Sequence, residues 1–148
     1  MKLNNIKISN YRCFKEVNID LDDHITLIVG KNGAGKTAIL DAVAVAISTF
    51  LLGIDGGISR RISKDDSRYE FYDLDGTVDP QHQFPVSIES IGDCLDNHDV
   101  KWVRSLNSES GNTTVKEARE LTSISRDAQK RIMTGDKTLI LPLISYYG

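Results

Sequence analysis

Residues 30–37 read Gly30-Lys31-Asn32-Gly33-Ala34-Gly35-Lys36-Thr37, a full match to G-x-x-x-x-G-K-[ST]. At ordinary residue usage such a match arises by chance in about one of a few hundred chains of this size. Its surroundings strengthen it. The apolar run Ile25-Thr26-Leu27-Ile28-Val29 precedes the loop and predicts a strand buried on both faces. Residues 38–52 follow, rich in Ala, Leu and Val, without Gly or Pro, and with Asp41 as the one charge. That pattern predicts a largely buried helix, ended by Gly53, Gly56 and Gly57. A strand, a glycine loop and a helix in that order make an anion cradle. Glycines let the backbone turn and bring N–H groups close to phosphate oxygens, and the positive end of the helix points to the same place.

Each residue of the loop then has a chemical task. Gly30, Gly33, Ala34 and Gly35 shape the cradle. The Lys36 ammonium reaches the β- and γ-phosphates of a nucleotide and is the expected catalytic cation. The Thr37 hydroxyl is the expected ligand of Mg²⁺. Asn32 and Ala38 add backbone or side-chain contacts. Lys31 stays open between a backbone contact and a solvated charge.

The rest of the chain reads as one α/β domain. It has 148 residues, 40% hydrophobic and 26% charged, a globular balance. The net charge of −3 excludes a generic polycation that coats nucleic acid or anionic membrane, but not a local basic groove. Residues 3–9 and 17–21 alternate as half-buried strands. Residues 58–83 are charged and turn-rich, which predicts a surface excursion. Two strands joined by a longer loop over 92–99 predict a hairpin across 84–107, with Trp102 packed in it. Thr114 and Glu117 suggest a capping box for a helix over 114–134. A final buried strand is expected over 138–145. No apolar run reaches the ~18 residues of a membrane span, and nothing at the N-terminus reads as a targeting segment. Two cysteines, Cys13 and Cys94, are too few for a disulfide scaffold and read as buried thiols in a reducing, cytoplasmic setting.

Several motifs together carry a resemblance. Asn10-Tyr11-Arg12-Cys13-Phe14, the glycine loop, and Leu40-Asp41-Ala42 are similar to the N-terminal lobe of SMC/RecF/RecN-type ABC ATPases. Leu141-Pro142-Leu143-Ile144-Ser145-Tyr146-Tyr147-Gly148 is similar to a segment of stand-alone bacterial ATPases of phage-defence systems, of the Septu and overcoming-lysogenization-defect types. The resemblance implies a P-loop NTPase fold, an ABC-type lobe with an antiparallel β subsheet, and ATP with Mg²⁺ as cofactors. It implies a homodimer or larger assembly through the nucleotide site, a nuclease partner or domain, and DNA, used in repair or anti-phage defence. It also implies that Arg12 reaches the nucleotide phosphates; the bland alternative is a surface Arg on a turn. Tyr11 and Phe14 read as core rather than as adenine contacts. A Walker B strand ending Asp-Glu, a Leu-Ser-Gly-Gly-like signature, a switch histidine and a Q-loop glutamine are not identifiable in the 148 residues. The expectation is therefore a first lobe only, with negligible hydrolysis by itself. The rivals are a non-hydrolysing ATP-sensing module and, further off, a small P-loop kinase or GTPase.

Weaker features have plainer readings. His24, His82 and His98 are not at metal-ligand spacing. Arg60, Arg61, Lys64 and Arg68 form a basic cluster after the helix, read as a solvated loop with DNA or nucleotide contact as the sharper option. Arg119, Arg126, Lys130 and Arg131 alternate with acids, which predicts a salt-bridged helix face.

Overall fold

Period-2 alternation becomes a four-stranded sheet in the computed structural model, which describes residues 1–74 and 76–147. The strands are β1 (Lys2–Tyr11), β2 (Phe14–Asp20), β5 (Val86–Cys94) and β6 (Asn97–Leu106), in the order β2-β1-β5-β6. Every pairing is antiparallel. One face carries Ile6 and Ile8 of β1, Val86 and Ile88 of β5, and Leu106 of β6, all buried. Helix α1 (Lys36–Ser48) lies on that face through Ala38, Ala42, Val45 and Ala46. Small side chains let the helix sit close to the sheet. Trp102 anchors the contact, its indole N–H donating to the Ala46 carbonyl at 3.0 Å.

A second cluster joins the far end of α1 to helix α2 (Arg119–Met133). A 3₁₀ turn over Thr49–Gly53 extends α1 and supplies Phe50, which packs with Cys94, Val100, Trp102, Ala118 and Leu121. Leu121, Ser125 and Ala128 recur at helical spacing and form the buried stripe of α2. Lys36–Gly53 is an 18-residue helical stretch of mean hydropathy 1.6, so the expectation that no segment reaches membrane-span length is corrected. Its packing against the sheet explains its composition.

Several expectations need correction. Residues 25–29 form no strand, and Ile25, Leu27 and Val29 are 81, 80 and 77% exposed. The expected buried strand over 138–145 is not formed either, and Ile140 and Leu143 are exposed. A strand needs neighbours that accept its backbone hydrogen bonds, and no described strand pairs with either run; Ile144 packs instead against the cluster around Phe50 and Trp102. The excursion over 58–83 contains a separate hairpin, β3 (Tyr69–Leu74) with β4 (Thr77–His82). The loop expected over 92–99 shrinks to a tight turn because β5 and β6 extend into it. Leu95 takes a left-handed φ of 55° there, and Asn97 Nδ2 donates to the Cys94 carbonyl. Thr114 does not cap α2; its hydroxyl instead accepts the Ser105 N–H at 3.1 Å. Cys13 is exposed and only Cys94 is buried.

Candidate functional site

The glycine loop ends where α1 begins. Gly35 stands before the helix in the left-handed conformation, φ 88°, and no side chain caps the helix N-terminus. The first amides of a helix have no intrahelical acceptor, so those of Lys36, Thr37 and Ala38 stay open to an anion. Gly33 also has a left-handed φ, 83°. Gly35 is held tightly: a Cβ there would come within 2.6 Å of Cys13 Sγ and 2.5 Å of Phe14 Cζ. The β1–β2 turn thus presses on the base of the loop, and only glycine fits.

Arg12, Cys13, Asn32, Gly33, Gly35, Lys36, Thr37 and Ala38 line a cavity of about 470 Å³. The Lys36 ammonium donates to the carbonyls of Gly30 and Lys31, at 2.8 Å each, which folds it over the loop. Thr37 is exposed at the helix start. Gly30, Lys31 and Ala34 are solvent-facing parts of the same loop, and the Ala34 N–H donates to the Lys31 carbonyl. The amides, the ammonium and the hydroxyl converge on one open concavity, which fits a polyphosphate with its divalent ion.

Arg12 sits at the rim of this cavity with a positive φ of 50°. Its Nη1 donates to Asp41 at 2.5 Å and its Nε to Asp66 at 2.9 Å. The guanidinium is therefore neither a free surface group nor simply aimed at the loop. Asp41, on the buried side of α1, also pairs with Arg60 at 2.8 Å and accepts the Tyr146 hydroxyl at 2.6 Å. Burial alone would raise the Asp41 carboxyl, but Tyr146, Arg12 and Arg60 outweigh it and hold the carboxyl below its ordinary value. The Arg60 guanidinium also lies over the Tyr146 ring.

This network was legible only in part. Asp41, the one charge in the apolar run 38–52, was a signal. Asp66 was not, and Tyr146, though part of the 141–148 motif, carried no sign that it would meet Asp41. The other basic residues after α1 scatter: Lys64 pairs with Glu109, Arg68 with Glu70, and Arg61 faces a different cavity. Tyr11 is buried, and Phe14 packs on the core edge. His82 contacts Ser67 and the Tyr69 ring, and His98 lies 3.5 Å from Asp93. On α2, Lys130 pairs with Asp127, and Arg131 pairs with Asp136 beyond the helix.

An antiparallel subsheet, a helix laid on it and a glycine loop at that helix's start define the P-loop NTPase fold in its SMC-type form. A solved SMC ATPase structure, from work on ATP-driven dimerization and DNA-stimulated activation, superposes with a TM-score of 0.52. It is 19% identical, and the match covers 84% of this chain and 80% of that one. The chain belongs to the AAA domain family, whose model matches residues 5–148. It is similar to the DNA replication and repair protein RecF of Actinobacillus pleuropneumoniae, 33% identical over 60% of this chain and 24% of that protein. It is also similar to the DNA double-strand break repair Rad50 ATPase of Halobacterium salinarum, 36% identical over 32% of this chain and 5% of that protein. The match thus spans a quarter or less of these relatives' length.

Proposed function

We propose that this chain is the ATP-binding lobe of an SMC/RecF-like ABC ATPase. The observation that carries the reading is the loop with Lys36 and Thr37 at the open N-terminus of α1. In this reading Gly30, Lys31, Asn32, Gly33, Ala34, Gly35 and Ala38 hold the phosphates, mainly through their amides. Lys36 leaves the Gly30 and Lys31 carbonyls for the β- and γ-phosphate oxygens. Thr37 helps hold Mg²⁺, which neutralises phosphate charge when bound. Arg12 contributes from the rim, in exchange for part of its pairing with Asp41 or Asp66.

Hydrolysis needs a carboxylate that orients water and a signature motif from a second subunit. The reading therefore expects ATP to close a homodimer or larger assembly in the cytoplasm. Similarity to RecF and Rad50 supports DNA repair with DNA as a partner. The likeness of 141–148 to stand-alone defence ATPases supports anti-phage use, with a nuclease partner or domain, as the second form of the same reading. Steady-state turnover of ATP and GTP by the chain alone tests it. The expected result is no turnover of either nucleotide above background. Sustained turnover would contradict it and favour a small kinase or GTPase. A complete protein that binds ATP but never hydrolyses it would favour the sensing module.

A further inference from the structure

We propose a second anion site, for a phosphate-type oxyanion, in the cavity beside Arg104 and Arg61 at the opposite end of α1 from the glycine loop. The cavity measures about 440 Å³ and shares no lining residue with the loop's own. Helix α1 separates the two by its 13 residues, about 20 Å of helix. Arg104 belongs to the core-facing row of β6, Val100-Trp102-Arg104-Leu106, where each residue is 1% exposed. A cation in that row has no carboxylate partner among the described residues. Its Nε donates to the Thr114 carbonyl at 2.8 Å, and its Nη1 to the hydroxyls of Thr49 and Ser59 at 3.2 and 3.4 Å. These acceptors are neutral, and Nη2 has no acceptor among the described residues.

The cavity wall adds a second cation, Arg61, and the polar side chains of Ser59, Asn112 and Thr113, but no acid. Burial, then Arg61, pushes the Arg104 guanidinium down to about 10, so both oppose its charge. The C-terminal end of α1 offers only about half a negative charge, reached through Thr49, whose hydroxyl donates to the Val45 carbonyl. That offsets part of one guanidinium and nothing of the second. Buried charges are normally paired. Two guanidiniums with free donors on one wall are the complement of a phosphate oxyanion.

The test is thermal unfolding of the 148-residue chain in chloride buffer, with and without millimolar inorganic phosphate at matched ionic strength. Wild type, Lys36→Ala, Arg61→Ala and Arg104→Met are compared. The stabilisation by phosphate should persist in Lys36→Ala, which weakens the glycine loop. Arg61→Ala should need about tenfold more phosphate for the same shift, the loss of one charge-assisted contact. Arg104→Met should lose the response while melting no lower than wild type in chloride. Arg61 is exposed, so its variant keeps the test decisive if Arg104→Met does not fold. No phosphate shift in any protein, or a shift lost in Lys36→Ala and kept in Arg61→Ala, would overturn the proposal. In the Lys36→Ala background, displacement of phosphate by a short single-stranded oligonucleotide assigns a nucleic-acid backbone as the source. Retention of phosphate assigns a free phosphate.

Discussion

Asp41 carries more of this molecule's polar organisation than any loop residue. Its two oxygens take Arg12, Arg60 and Tyr146, and so join the β1–β2 turn, the segment after α1 and the 139–147 segment to one helix. Asp41→Asn keeps the size and one acceptor but removes the charge. It should lower the unfolding free energy by about 1–3 kcal/mol, toward the lower value because both arginines are partly exposed. Denaturant titration measures this. The pH dependence has a definite sign. A carboxyl held below its unfolded value stabilises at pH above the ordinary carboxylate range, and that contribution is lost as pH falls through the lowered value. Wild type should therefore lose stability on acidification more steeply than Asp41→Asn.

A side chain would strain the loop by different amounts at its two left-handed glycines. Gly33→Ala meets no atom within 4 Å and should cost only the backbone term, about 1 kcal/mol. Gly35→Ala has the same backbone cost and also drives a methyl into Cys13 and Phe14, so it should destabilise by clearly more. Parallel denaturant curves check the order. The elements themselves divide by how local their cause is. β1, β2, β5 and β6 were readable because alternation is a property of neighbouring residues. The 25–29 and 138–145 runs were misread because an apolar run says what a segment favours, not what lies beside it. β3 and β4 were hidden by acidic residues and by Pro80, which a two-stranded sheet tolerates because both of its strands are edges. Of the candidate site, the place of the glycine loop at the start of α1 was legible, while the strand expected before it was not formed. The Arg12–Asp41–Tyr146 network was not, since Tyr146 lies 105 residues from the Asp41 that accepts its hydroxyl.

At the scale of the whole molecule, the core lies on the helix-covered face of the sheet, while Ile25, Leu27, Val29, Ile140 and Leu143 stay in solvent. Leu27→Ser should change stability by less than about 0.5 kcal/mol, because the side chain is already 80% exposed. Denaturation of that variant beside wild type checks it. The central claim is that the open end of α1 and its glycine loop hold the phosphates of ATP. Calorimetric titration of MgATP into the 148-residue chain and into Lys36→Ala, which removes the ammonium and its two bonds to the loop carbonyls, tests it most directly. The account predicts one site per chain in wild type, with affinity at least about tenfold weaker in the variant, the worth of one charge-assisted contact. Equal binding by both, or none by wild type, would contradict it.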